Sequence, residues 1–191
     1  MRAATVRWLE RAVIGLNLCP FAKSVHVKGQ IHYCISDAAD EESLLQELRS
    51  ELQDLADADP QVRDTTLVVI PGMFEDFLGF NDFLNAAEDL LLELGLDGTL
   101  QIASFHPHFV FAGTQDEDIT NYTNRAPYPT LHLIREASID RAVQAFPQAE
   151  QIYERNMALL QSLGHAGWAD LGLDADAPCP VKDSSHGQAP S

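Results

Sequence analysis

Basic side chains are scarce in this sequence. The chain sets 12 Lys and Arg against 29 Asp and Glu, for a formal charge of −17. A nucleic-acid backbone is bound by clustered Lys and Arg that displace counterions, so no nucleic-acid partner is expected. Anionic membrane surfaces are disfavoured for the same reason. Cysteine is nearly absent too. Cys19, Cys34 and Cys179 are odd in number and far apart, which fits neither a disulfide framework nor a zinc-ribbon spacing. They read as reduced thiols. No apolar run approaches the roughly 20 residues of a membrane helix. Arg2, Arg7, Glu10 and Arg11 interrupt the N-terminus, so no secretory signal is expected and a bacterial-type cytoplasmic location is. Missing as well are a Gly-rich phosphate loop, a nucleophile elbow, a Cys-x-x-Cys and a His-Glu-x-x-His.

What remains is ordinary globular material, 46% hydrophobic in 191 residues, enough for one domain with a core and short for two. The expected division is one domain over 1–165 and a disordered tail, rich in Asp, Ala, Pro, Ser and Gly, over 166–191. Charge is uneven. Residues 1–28 carry five basic and one acidic side chain, whereas 37–64 carry ten acidic ones against Arg49 and Arg63.

Helical spacing of Trp8, Leu9, Ala12, Val13 and Leu16 predicts a first helix over 5–18, stopped at Pro20. A basic connection leads to a strand at 30–36. Asp37 or Asp40 caps the next helix, whose stripe is Leu44, Leu45, Leu48, Leu52 and Leu55. The β-branched run 65–70 (TTLVVI) predicts a strand buried on both faces. Asn81 or Asp82 starts a third helix that Gly95 ends. Strands follow at 100–105 and 130–135, then a short helix capped by Ser138 and ended by Pro147, and a last helix closing at Gly164. The fold predicted is α/β (or α+β). It has a single, mostly parallel sheet of about four strands, the last antiparallel, packed by five helices.

The chemistry concentrates in the stretch 100–135. His106 leaves the third strand, and an antiparallel fourth strand brings the loop with Asn121, Tyr122, Asn124 and Arg125 back over it. Arg125 offers a planar fork matched to carboxylate or phosphate, Asn121 and Asn124 add amides, and Tyr122 adds a hydroxyl. His106 suits proton transfer near neutral pH. A plainer reading pairs Arg125 with Asp116 or Asp118 and gives NYTN to Asx turns. His-x-His on a strand places His106 and His108 on one face, making them a candidate metal pair with His132 or Cys19 as third ligand. Cys19 follows a helix instead of starting one, so it reads as a small core residue before a nucleophile.

Three segments carry a resemblance: GLNLCPFAK at 15–23, DFLGFNDFLNAAEDLL at 76–91, and ASFHPHFVFAGTQDEDITNYTNRAPYPTLHLIREASIDRAV at 103–143. Together they resemble a bacterial family of cytosolic proteins, the domain-of-unknown-function family 1415, over nearly the whole chain to Gly164. The resemblance brings no reaction and no cofactor with it. It implies hallmark roles for Cys19, Pro20, His106, Pro107, Gly113, Asn121, Tyr122, Asn124, Arg125 and His132. Two positions depart from that pattern. His108 stands where the family has an acidic residue, which weakens a two-histidine pair although a carboxylate also ligates. Ile70 stands where the family has a His, and if that His is catalytic this chain lacks the activity.

Three readings stay open. One is a small-molecule enzyme or binder for an anionic ligand, with His106 as acid/base, Arg125, Asn121, Asn124, Tyr122 and His132 binding, and Cys19 as an optional nucleophile. Another is a metalloprotein using His106, His108 and His132. The third is a non-catalytic interaction module that offers the acidic helix 40–57 to a basic partner.

Overall fold

The structure is a computed structural model and describes residues 1–145 and 151–173. Helix α1 (Arg2–Trp8) runs without a break into π-helical turns over Leu9–Ile14. A short helix α2 (Ala22–Val27) occupies the stretch read as a basic connection. Strand β1 (Ile31–Ile35) then leads to α3 (Glu41–Asp57), which starts in a reciprocal cap. There Asp40 Oδ1 accepts from the Ser43 N–H at 2.8 Å, and the Ser43 hydroxyl is the acceptor for the Asp40 N–H. After β2 (Thr65–Val69) comes α4 (Phe77–Glu93), capped by Asp76, so it begins earlier than Asn81 or Asp82. The order closes with β3 (Leu100–Phe105), a 3₁₀ turn (Ile119–Thr123), β4 (Thr130–Arg135), α5 (Glu136–Ala145) and α6 (Ile152–Ala169). Among the described residues this makes six helices, not five, because a helix of six residues leaves too little periodicity to read.

The sheet order is β1-β2-β4-β3. β1 and β2 pair parallel, whereas β4 pairs antiparallel with both β2 and β3. The sheet is therefore mixed, not mostly parallel. A helical crossover fixes the direction of β3 relative to β2 but not its adjacency. β4 takes the vacant central slot, with Thr130, Leu131, Leu133 and Arg135 buried, and leaves β3 at the edge, where Gln101 and Ser104 are tolerated.

Alternation along the strands divides the side chains between two faces. Val68, Leu100, Leu131 and Leu133 meet α3 and α4 in one core, where Leu44, Leu48, Leu52, Leu55 and Phe80 are fully buried. Ile31, Tyr33 and Phe105 turn the other way, against Trp8, Leu9, Ala12 and Val13. Ser138 lies inside α5 and donates to Asp64 Oδ1 at 2.7 Å instead of capping the helix. Gly164 breaks the last helix (φ 65°), but helix resumes to Ala169, so the boundary expected at 165 falls within α6. Trp168, Leu171 and Leu173 then pack on the Trp8 cluster, and Arg11 donates to Leu171 O at 2.8 Å. Pro147, Cys179 and the tail from 174 lie outside the described residues. No described helix is long and apolar enough to cross a membrane.

Candidate functional site

The loop does return to the exit of β3. The His106 N–H donates to Asn124 O at 3.1 Å, Asn124 Nδ2 to Ser104 O at 3.1 Å, and Arg125 Nε to Phe109 O at 3.2 Å. The expected roof over the imidazole exists, but its polar groups are spent on the loop itself. Asn121 is fully buried. Its Oδ1 accepts from the Phe111 N–H (3.0 Å) and Thr114 Oγ1 (2.8 Å), and its Nδ2 donates to Gln115 O (2.7 Å). Arg125 donates to Asp116 O at 2.7 Å and Oδ1 at 2.9 Å, and its guanidinium lies over the Tyr122 ring at 4.5 Å. The pairing with Asp116 is the plainer of the two sequence readings.

His106 is fully buried between the Phe77 and Phe80 rings, at 5.6 and 5.3 Å. Its Nε2–H donates to Phe74 O at 2.9 Å, and its Nδ1 accepts from the His108 N–H at 3.0 Å. Both nitrogens are engaged, which fixes the neutral ring in one tautomer, and desolvation holds its pKa below the usual value. No ring nitrogen is left to carry a proton to a ligand. Phe74 itself sits at φ 59°, a left-handed conformation that a bulky residue adopts only when its surroundings impose it.

The metal constellation does not assemble. A turn at Pro107, closed by the Phe109 N–H on His106 O at 3.1 Å, ends the strand before His108, so strand alternation no longer applies. The His106 and His108 rings are 5.9 Å apart, while His132 points into the opposite layer. Among the described residues no group of three or more His, Cys, Asp or Glu is placed to hold a metal ion. On acidic helix α3, Glu51 pairs with Arg63 and Arg49 with Glu93, while Glu41 and Glu42 are exposed. Glu47 accepts from Ser36 and Cys34, and burial followed by the charges of Glu51 and Glu47 pushes the Cys34 thiol up to about 12.

A different space brings reactive groups together. Between the Ile31–Thr65–His132 face of the sheet and the π-helical turns, α2 and α5 lies a cavity of about 470 Å³. Its walls are largely apolar, from Leu9, Val13, Leu67, Phe105, Ile134 and Ile139, and its polar groups include Cys19, Lys28, Asp64, His132 and Arg141. Two sequence candidates, Cys19 and His132, therefore share one space.

Each is placed by specific contacts. The turn carrying Cys19 leaves the π-helical segment through Asn17 (φ 54°), and two α6 side chains clamp it, Arg155 donating to Asn17 O at 2.5 Å and Asn156 Nδ2 to Leu18 O at 2.8 Å. π-Helical turns recur at functional sites. At His132, Thr65 Oγ1 gives its proton to Leu133 O (2.6 Å), so its oxygen accepts from His132 Nε2–H at 2.7 Å. Nδ1 is then a bare acceptor with no partner among the described residues. Burial pushes this imidazole down to about 4, so it is neutral at physiological pH.

Lys28, Asp64, Arg141 and the clamping Asn156 were not legible as site residues. Arg141 is tied to Ser138 Oγ (2.8 Å) and lies 3.6 Å from Asp64, whereas exposed Lys28 has no ion pair among the described residues. No local pattern marks them, since they meet through separate elements. Asn156 falls at helical spacing between Ile152 and Leu160 and is buried there, and that spacing is the one signal that could have found it. A second cleft, of about 380 Å³, lies beyond Trp8 and is lined by His108, Tyr122, Arg125 and Trp168.

No curated protein and no solved structure matches the chain. Over residues 1–170 it matches the model of the family described as Protein of unknown function (DUF1415), and the chain belongs to that family.

Proposed function

We propose that this protein binds a small anionic molecule in the cavity between the sheet and the π-helical turns, α2 and α5. The observation that carries the reading is the cavity itself. It is concave and largely apolar, with a few polar groups converging on it, the usual form of a small-molecule site. Lys28 replaces Arg125 as the anion's partner, because Arg125 already has Asp116 and Lys28 has no ion pair among the described residues. The Cys19 thiol and His132 Nδ1 are the reactive groups that a bound molecule meets.

A second reading keeps the anion at Arg125. It rests on the cleft that Arg125 shares with Tyr122 and His108, where one guanidinium nitrogen, Nη1, makes no hydrogen bond among the described residues. Thermal-shift measurements with a panel of small carboxylates and phosphates separate the two. The cavity reading predicts stabilisation of the wild type and of Arg125→Ala, and its loss when Ala142→Trp or Ser24→Trp fills the cavity. Loss in Arg125→Ala with retention in both Trp variants transfers the site to the cleft.

A further inference from the structure

We infer that the ligand is an amphipathic monocarboxylate whose chain lies along β4 and whose carboxylate faces Lys28, an assignment that rests on the cavity reading above. Three features of the lining lead to it.

The first is length. The cavity's floor runs from Phe105, paired with Thr130, past His132 to Ile134, paired with Thr65. Four strand steps at about 3.3 Å each make roughly 13 Å. A zigzag chain advances roughly 1.3 Å per C–C bond of about 1.5 Å, so about ten bonds cover that span and chains of about eight to ten carbons fit within it. The second is charge. Lys28 and Arg141 are the lining cations and Asp64 the lining carboxylate, leaving one positive charge over, on a protein of formal charge −17. One free ammonium matches a single negative charge better than a phosphate's two. The third is direction. His132 lines the middle of the floor, and its Nδ1 carries a lone pair with no partner among the described residues, so a carboxylate, which only accepts hydrogen bonds, gains none there. The head is therefore turned away from the middle of the floor toward exposed Lys28. The tail lies against Leu9, Val13 and Phe105, ending near Cys19.

Calorimetric titration with hexanoate, octanoate and 1-octanol tests this directly. Each buried methylene contributes about fourfold, so octanoate should bind on the order of tenfold tighter than hexanoate. It should also bind a few-fold tighter than 1-octanol, as an exposed ion pair allows. Lys28→Ala should bring octanoate down to the affinity of 1-octanol. If 1-octanol matches octanoate in the wild type, or Lys28→Ala leaves octanoate unchanged, the carboxylate assignment is overturned together with the role of Lys28 as the anion's partner, and what stands is the cavity as a ligand site. The carboxylate assignment fails in the same way if none of the three binds while the anion panel still stabilises the wild type. Octanoate binding undiminished by both Ala142→Trp and Ser24→Trp, or no response to any probe, removes the cavity reading as well.

Discussion

His132 keeps its proton on Nε2 because the oxygen of Thr65, committed through its own proton to Leu133, can only accept. The consequence for stability has a definite sign. Above about pH 6.5 the ring is neutral in both folded and unfolded chains, and the stability is fully present. As pH falls from 6.5, the unfolded ring takes up a proton that the folded ring refuses until about pH 4. Stability declines through that window by at most ~3 kcal/mol and levels off below it. His106, lowered foremost by desolvation, contributes in the same direction. Asp40 and Asp118, whose carboxyls are held below 3.8 by bonds from Ser43 and Thr120, lose their contribution at lower pH, outside the window. His132→Gln keeps a donor for Thr65 without a titrating ring. Chemical denaturation from pH 8 to 4 should give it a flatter profile than the wild type, and parallel profiles would refute the assignment.

At the scale of elements, the loop over β3 is a brace. Asn121 ties the Phe111–Asp116 segment to the 3₁₀ turn through both ends of its amide. Asn121→Ala strands those buried partners and should cost roughly 2–3 kcal/mol in denaturant unfolding. The carboxylate response of the folded protein should be kept. A loss of affinity at unchanged stability would put the amide on the ligand instead. Helices with a strong apolar stripe, such as α3, were legible in the sequence, and so was the antiparallel pairing of β3 with β4. The place of β4 between β2 and β3 was not, because the crossover through α4 leaves adjacency open. The candidate site was half legible. Cys19 and His132 were singled out, but Lys28 and Arg141 reach the cavity only through α2 and α5. His106 looked reactive until Phe74 O and the His108 N–H closed both its nitrogens, and the Phe74 carbonyl stands there through a left-handed turn that no Phe advertises.

Across the whole molecule the two faces of the sheet divide the work. The α3–α4 face is closed by leucines with no exposure, and truncating one of them is expected to cost several kcal/mol whatever happens elsewhere. The opposite face leaves about 470 Å³ unfilled beneath a helix wound with π turns. A cavity of this size forgoes packing contacts, and a bound ligand restores them and stabilises the fold by mass action. Where a ligand binds is therefore the question on which all else turns. Octanoate titrated into isotope-labelled protein, with backbone amide shifts followed residue by residue, locates it. The largest changes are expected at Thr65, His132, Ile134 and Ile139, with Asn121, Tyr122 and Arg125 unmoved. The largest changes at Tyr122 and Arg125, with Thr65 and His132 still, would contradict a ligand site in the cavity.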